Sequence, residues 1–422
     1  MKSDVMTGKL LSQIVDIAKA NDNIVSKTIV EDLLKESHAP NYDEAREKMF
    51  TDLERAGITV DPSENDEGYL ESQAKDPKGR FVPADVNIRA RTMSMDQIIA
   101  RLKYKEIDLQ PGFQRKRDLW DHVMQSRLIE SLLLKIPLPA FYFDARDDDK
   151  WIVIDGLQRL TAFEKFFQDS SFILSGLEYM TEMNNKRFED LPKQYVRRIL
   201  ESSITVYTVE RGTPEEVVYN IFKRINTGGL GLEPQEIRHA LYQGKATELA
   251  EKLAESKSFK VATGGAISSS RMLDCEYVTR FFAFTQLDYI EDYEDSIDVF
   301  LIKAMKRVNM YSDEDIRRME NRFYLTMDTC HEIFGMYTFR RISSKRRGPI
   351  NKAIFELWCA CLYDLVEDKH KILMEKKERI FDEFKGMLED DTFSGWIKNG
   401  DKPSMVNRIN NTKRMLERVI YD

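Results

Sequence analysis

The sequence predicts an α+β protein in which a mixed domain is preceded by a small acidic helical module and followed by an all-α helical domain. Three observations support this fold class. Strand and helix patterns alternate only in the middle of the 422-residue chain. Helical periodicity dominates from residue 233 onward. Residues 1–76 contain 17 acidic and 9 basic side chains, which accounts for the whole net charge of −8.

The acidic three-helix module is expected to span residues 1–68. Amphipathic patterns predict its three helices, at residues 7–21, 26–36 and 41–57. Ser26 has the chemistry of a helix N-cap, Gly57 that of a C-cap, and a β-prone stretch follows at 58–60. The next residues are polar, acidic and rich in turn formers, so we place a linker at 69–88.

The mixed domain is predicted over residues 89–230. The stretches AFYFD and WIVID are strands joined by the polar turn ARDDDK, which predicts a hairpin. Apolar faces with helical spacing occur at 93–105, 121–135 and 158–168. SITVYTVE at 203–210 predicts a further strand. Thr213 and Glu216 then have the spacing of a capping box.

The helical domain is predicted over residues 231–422. Apolar stripes predict eight helices, at 233–243, 246–256, 275–290, 294–308, 313–335, 350–367, 371–390 and 404–420. No repeat of fixed period is present, so we predict a bundle rather than a solenoid. The four cysteines form no CxxC pair and the five histidines lack ligand spacing, which argues against structural zinc and disulfides.

The stretch VIDGLQRLTAF at 153–163 is the first candidate site. An apolar strand stops at Asp155 and Gly156, and Gln158 and Arg159 open a helix. The simplest interpretation is a turn, because Asp-Gly is a common turn dipeptide. The alternative is a phosphate site, in which helix amides, a glycine and an arginine converge on an anion.

Two other helix ends carry similar polar groups. Gln114 and Arg115 stand in a loop before a helix, with Trp120 as an apolar anchor. Asn226 and Thr227 follow a helix and precede Gly228 and Gly229. Each of these helix ends, taken singly, is explained by a cap or a loop. Three such ends in one domain favour a site that binds phosphate or metal-bound water.

In order and spacing, FQR…W, VIDGLQRLTAF, FKRINTGG…QEIRHAL and SRMLDCEYVTRFFAF resemble the N-terminal domain family of GmrSD-type, modification-dependent restriction systems. The resemblance covers about residues 90–310, and the family's domain is similar to the ParB/sulfiredoxin fold. The family motif is Asp-Gly-Gln-Gln-Arg. Asp155, Gly156, Gln158 and Arg159 match it, whereas Leu157 replaces the first Gln and puts full hydrolytic competence in doubt.

The resemblance implies nucleotide binding and hydrolysis, with an NTP and Mg²⁺ as cofactors. It assigns Asp155, Gln158 and Arg159 to catalysis and Asp155 to the metal. Phosphate contacts are expected from seven residues: Gln114, Arg115, Gly156, Arg159, Thr161, Asn226 and Thr227. Many family members append an HNH nuclease, but the only histidine after position 331 is His370. We therefore expect DNA cleavage, if any, from the ParB-like domain or from a partner.

Two further features bear on partners. Residues 8–68 resemble the N-terminal acidic region of primary sigma factors, although any three-helix domain with an acidic face is an equal alternative. Residues 338–352 carry a dense basic cluster that is a candidate DNA contact: Arg340, Arg341, Lys345, Arg346 and Arg347. A solvated loop paired with the acidic module is the alternative.

Three functions follow. The first is a nucleotide-binding, NTP-hydrolysing component of an anti-phage, DNA restriction or DNA-processing system. The second is a direct ParB-like nuclease. The third is a non-enzymatic regulator whose DNA-mimicking module binds RNA polymerase or blocks its own DNA site. The sequence contains no apolar run long enough for a membrane span and no signal peptide, so we expect a cytoplasmic protein. The sequence leaves open whether the protein has a nuclease partner and whether it forms a homo-oligomer.

Overall fold

The structure is a computed structural model that divides into two compact units. One unit comprises residues 78–241, and the other joins residues 1–77 with residues 242–422. The described residues are 2–19, 23–27, 30–31, 34, 42–61, 87–109, 120–169, 171–225, 233–269, 271–294, 296–342 and 348–421. The domain boundaries drawn from the sequence stay predictions.

The described part of the N-terminal region includes the helices α1 (Lys2–Lys19) and α2 (Tyr42–Arg55) and the short strands β1 (Ile24–Ser26) and β2 (Thr59–Asp61). The strands pair in parallel, with Val25 opposite Val60. The β-prone stretch at 58–60 is thus confirmed as a strand. Strand β1 was not predicted, and it ends at Ser26, directly before helical Lys27. Apolar side chains of both helices and of β1 form one core, with Ile14, Val25, Met49 and Leu53 buried.

The unit of residues 78–241 is built on one five-stranded sheet. Its strands are β3 (Ile88–Ser94), β4 (Ile107–Asp108), β5 (Phe141–Asp144), β6 (Trp151–Asp155) and β7 (Ser203–Val209). Their spatial order is β3-β7-β5-β6-β4. Strands β5 and β6 are antiparallel, which confirms the predicted hairpin. Strand β5 lies parallel to β7 and β4 parallel to β6, while β3 is antiparallel to β7.

Helices cover one face of this sheet. They are α3 (Met95–Lys103), α4 (His122–Leu133), α5 (Leu157–Gln168) and α6 (Lys193–Leu200), and α7 (Glu215–Ile225) and α8 (Pro234–Leu241) complete the unit. Inward side chains of alternate strand positions, such as Phe141, Phe143 and Val206, pack with Leu132 and Phe163 of the helices. The alternation of strand side chains leaves Tyr142 and Tyr207 on the opposite face.

Ten helices follow in the second unit. They are α9 (Lys245–Ala254), α10 (Lys257–Thr263), α11 (Leu273–Gln286), α12 (Ile297–Asn309), α13 (Asp313–Phe334), α14 (Lys352–Leu362), α15 (His370–Glu375), α16 (Lys377–Glu389), α17 (Asp391–Lys398) and α18 (Lys402–Tyr421). Their core is rich in aromatic side chains, including the fully buried Trp358. The only β pairing described in residues 242–421 is an isolated bridge between Arg340 and Ile350.

A chain of ion pairs runs through the core of the helical unit. Arg280 Nη2 lies 2.7 Å from Glu276 Oε1, and its other terminal nitrogen bonds Glu356. Glu356 Oε2 in turn lies 2.7 Å from Arg408 Nη2. Glu356, Arg280 and Arg408 are at most 1% exposed. These ion pairs explain the buried charges of Glu276 and Arg280 without a ligand.

The predicted fold class is confirmed at the coarse level. The chain combines one mixed α+β unit with a mostly helical C-terminal half. Strand β3 at the edge of the sheet was not predicted. The ParB-like assignment stays a prediction. Over the described residues, no helix is both long and apolar enough to cross a lipid bilayer.

Candidate functional site

Gly156 forms the turn between strand β6 and helix α5. Its φ is +104°, a conformation that side chains other than glycine adopt only with strain. A Cβ built at this position would lie 2.4 Å from Cδ1 of Phe141, well inside van der Waals contact. The turn therefore requires glycine for two reasons, the backbone conformation and the close approach of β5.

The first turn of helix α5 presents backbone N–H groups without a side-chain cap. Leu160 N–H donates to Gly156 O at 2.9 Å and makes the first helical bond. Gly156 is the N-cap residue and supplies no capping side chain. The N–H groups of Leu157, Gln158 and Arg159 point out of the helix end with a partial positive charge. Such an end is suited to an anion.

Arg159 is mostly buried and holds the backbone behind the turn. Its side chain is 10% exposed. The guanidinium donates to the carbonyl oxygens of Pro139 and Ala140, the second at 3.1 Å. It also lies 4.2 Å from the ring centroid of Phe141, a cation–π distance. Burial lowers the pKa of Arg159, and Asp155 offsets part of that shift. The side chain thus has a structural role, and its direct phosphate contact stays a prediction.

Asp155 is partly exposed, unlike the buried Gly156 and Arg159. Its Oδ2 accepts a hydrogen bond of 3.0 Å from Arg159 Nη2, and its side chain is 40% exposed. The carboxylate therefore has a fixed orientation and access to solvent. No group of three His, Cys, Asp or Glu among the described residues could hold a metal ion. A cation at Asp155 would need ligands from elsewhere, such as phosphate oxygens.

The other motif residues differ in exposure. Leu157 packs against the core of the mixed unit, so the position that departs from the family motif serves packing here. Gln158 is half-buried in the first helical turn. Thr161 is 1% exposed, and the described residues give no hydrogen bond to its hydroxyl. Buried hydroxyls usually have a partner. The ligand contacts of Gln158 and Thr161 stay predictions.

Four predicted phosphate contacts, namely Gln114, Arg115, Asn226 and Thr227, lie outside the described residues. The described helix α8 follows the second of these segments and buries four polar positions around its apolar Ile237. Arg238, 1% exposed, donates to Gln235 Oε1 at 2.9 Å and lies 3.5 Å from Tyr219 Oη. These contacts fix α8 against α7 within the same unit.

A row of three polar side chains crosses the sheet beside the turn. Asp155 is the register partner of Tyr142 at a β-bulge between Tyr142 and Phe143, and Tyr142 is the register partner of Tyr207, so the three residues lie in one row across three strands. The two tyrosine rings stack with centroids 4.8 Å apart and planes 13° apart. Burial raises the pKa of Tyr142, and Tyr207 and Asp155 raise it further. The motif search overlooked both tyrosines, although strand alternation in AFYFD and SITVYTVE places them opposite the core.

The basic segment requires one correction. Arg340 was predicted to contact DNA, but it is 1% exposed and donates to Thr338 O at 3.1 Å and Thr263 O at 2.9 Å. It therefore stabilises backbone in the interior. Arg341 is half-buried and donates to Ser394 Oγ at 2.9 Å. Lys345, Arg346 and Arg347 lie outside the described residues.

Comparison with known proteins identifies the central segment. Residues 97–243 match the family model of the GmrSD restriction endonuclease, N-terminal domain. The central segment is thus similar to a domain of this family, as the motif order predicted, and the match includes the β6–α5 turn and helices α4 to α8. It covers less than half of the chain. No curated protein and no solved structure matches the chain.

Proposed function

We propose that this protein is a component of a DNA restriction or anti-phage DNA-processing system and that its β6–α5 turn binds a nucleoside triphosphate. One observation carries the proposal. The segment that matches the restriction-system domain contains a helix N-terminus without a side-chain cap, joined by Gly156 to an exposed, oriented carboxylate. Helix amides and glycine suit a phosphate, and a carboxylate suits its cation.

The residues of the turn have separate tasks in this proposal. The N–H groups of Leu157 and Gln158 bind phosphate oxygens. Arg159 acts as a positioning residue, because its guanidinium joins Asp155 to the carbonyls of Pro139 and Ala140. The positive charge of Arg159 also favours an anion above the helix end, since a guanidinium stays protonated in proteins.

Hydrolysis is assigned to Asp155 and Gln158. Mg²⁺ sites commonly combine one or two carboxylates with the phosphates of a substrate, so Asp155 together with the nucleotide would hold the ion. When bound, the ion neutralises charge on the transferred phosphoryl group. Gln158, in the first turn of α5, is placed to orient the attacking water, a task that glutamine performs in other NTPases.

DNA is the second proposed ligand. The matched family is the N-terminal domain of a restriction endonuclease, and the basic segment supplies the charge for backbone contacts. With Arg340 buried, the proposed contacts are Arg341, Lys345, Arg346 and Arg347. The acidic side chains of residues 1–76 are proposed to compete with DNA for this segment, because they carry the same sign of charge as the phosphates.

A turnover assay with the full chain tests the proposed function. The protein is incubated with each NTP and Mg²⁺, with and without plasmid, and phosphate release and nicking are measured. We expect phosphate release that Asp155→Asn abolishes and that Asp169→Asn, at the exposed opposite end of helix α5, leaves unchanged. Nicking without NTP would instead support the direct nuclease. DNA binding without phosphate release and without nicking would support the non-enzymatic regulator.

A further inference from the structure

The mixed unit carries an aromatic pair that the motif does not explain. Tyr142 and Tyr207 are half-buried and stack in parallel on the sheet face opposite the core. Aromatic residues on the inward face serve packing, as Phe141 and Phe143 do. The outward pair lies outside that core, and its two rings contact each other.

Among the described residues, one side of the pair borders small, exposed side chains. Ala90 is the register partner of Tyr207 on edge strand β3, and it is exposed. Its side chain is a methyl group, which covers little of the face of Tyr207 that turns away from Tyr142. Thr92 and Thr205, a register pair on the same sheet face, are exposed as well. Ala90, Thr92 and Thr205 thus border the aromatic pair with small side chains on the β3 side, whereas the buried pair Asp144 and Val209 lies on its other side along the strands.

The pair is continuous with the turn. Asp155, the last residue of β6, is the register partner of Tyr142 at the β-bulge between Tyr142 and Phe143. Two strand spacings, about 10 Å, separate the backbones of Asp155 and Tyr207. A nucleotide holds its base at one end and its phosphates at the other, so a site for the whole molecule needs two such neighbouring surfaces. The sugar of a nucleotide lies between its base and its phosphates. The tyrosine hydroxyls and the Asp155 carboxylate supply polar groups that suit this sugar.

We infer that Tyr142 and Tyr207 bind the base of the nucleotide whose phosphates bind at the β6–α5 turn, with the base stacked on Tyr207 above Ala90. This inference rests on the proposed function. Base–aromatic stacking is tolerant of base identity because every base has a π-face. The tyrosine pair therefore distinguishes a nucleotide from a phosphate without a base, and it discriminates weakly among the four bases.

The test compares two probes, an NTP and inorganic tripolyphosphate, on the full chain by calorimetric titration. Tyr207→Ala should weaken NTP binding about 5- to 140-fold, the equivalent of roughly 1–3 kcal/mol at 1.4 kcal/mol per factor of ten. It should leave tripolyphosphate binding unchanged. Tyr207→Phe, which keeps the ring, should bind NTP within a few-fold of wild type. Tyr104→Ala and Tyr179→Ala, exposed tyrosines elsewhere in the unit, are the controls.

The outcomes separate this inference from the proposed function. Wild-type NTP binding in Tyr207→Ala, or equal losses for NTP and tripolyphosphate, would overturn the role of the tyrosines. A wild-type chain that binds tripolyphosphate as tightly as NTP would overturn it too, while leaving the phosphate site intact. A wild-type chain that binds neither probe would overturn the proposed function. Binding of single-stranded oligonucleotides in place of NTP through Tyr207 would contradict the inference.

Discussion

Asp155 and Arg159 form an ion pair of 3.0 Å between the last residue of a strand and the first turn of the following helix. The carboxylate is 40% exposed and the guanidinium side chain 10%. The same guanidinium bonds the carbonyls of Pro139 and Ala140 at the start of the neighbouring strand. One buried charge therefore fixes both the strand hairpin and the exposed carboxylate that we assign to catalysis.

Arg159→Ala is expected to lower the free energy of unfolding as well as nucleotide affinity. Removing the side chain leaves two carbonyls without their charged donor, and such hydrogen bonds contribute about 1.5–3 kcal/mol. Chemical denaturation followed by circular dichroism measures this loss. Arg197→Ala, an exposed arginine on helix α6, should change stability by less than about 0.5 kcal/mol. An Arg159→Ala protein as stable as wild type would contradict the positioning role and favour a pure ligand contact.

Arg159→Lys refines the same prediction. Lysine keeps the positive charge but does not have the planar fork that spans three acceptors. We expect the Arg159→Lys variant to recover phosphate attraction but not the orientation of Asp155. Phosphate release should therefore fall further than nucleotide affinity, as read from the separate effects on kcat and KM. Equal losses in both parameters would contradict this division.

Gly156→Ala should destabilise the mixed unit more than Gly212→Ala. Both glycines have positive φ, +104° and +91°, so both substitutions add backbone strain. Only at Gly156 would the new Cβ meet another residue, Phe141, whereas nothing lies within 4 Å at Gly212. The difference between the two variants should be about 1–3 kcal/mol, the usual cost of overpacking. Equal melting temperatures for the two variants would contradict this prediction, because they would show that the β5–β6 hairpin shifts to accommodate the added methyl group.

The acidic N-terminal residues should weaken DNA binding at low salt. Changing Asp16, Glu47 and Glu54, all exposed on α1 and α2, to their amides should raise DNA affinity at about 0.1 M salt. The gain should disappear at about 1 M salt, because the screening length falls from about 10 to 3 Å. The matched control neutralises three exposed acids of helix α16: Glu378, Asp382 and Glu389. An equal gain in DNA affinity in the control would contradict the proposed competition and would indicate an effect of net charge alone.

The basic segment should set the salt dependence of DNA binding. Changing Arg341, Arg346 and Arg347 to Ala should reduce the slope of log affinity against log salt by roughly one for each phosphate that is no longer neutralised. Arg340→Ala is the comparison, because that guanidinium is buried against backbone carbonyls. It should lower stability and leave the slope unchanged. A slope unaffected by the triple substitution would place DNA elsewhere on the protein.

Local pattern accounts for much of what could be predicted. The hairpin and strand β7 follow from alternating apolar residues, and their bounds differ little from the prediction. Strand β3 was overlooked because it lies at the sheet edge, where exposed Arg89 and Thr92 give no apolar alternation. Its position depends on pairing with β7, which follows it by more than 100 residues.

The candidate site shows the same limit. The sequence places Asp155, Gly156 and Arg159 at one strand-to-helix turn, and the structure has them there. It does not reveal that Arg159 and Arg340 are buried, because their acceptors are backbone carbonyls that have no sequence signature. The stack of Tyr142 on Tyr207 likewise depends on the register of two distant strands.

Hydrogen exchange at the start of helix α5 tests the central claim most directly. Gly156 supplies no side-chain cap at the start of α5, and the N–H groups of Leu157 and Arg159 should exchange rapidly in the free protein. A bound triphosphate would accept hydrogen bonds from them. We predict slower exchange in a peptide covering 156–160 when NTP and Mg²⁺ saturate the protein. The start of helix α6, which also has no side-chain cap, should not change. Unchanged exchange at 156–160 with nucleotide demonstrably bound would contradict a phosphate site at this turn.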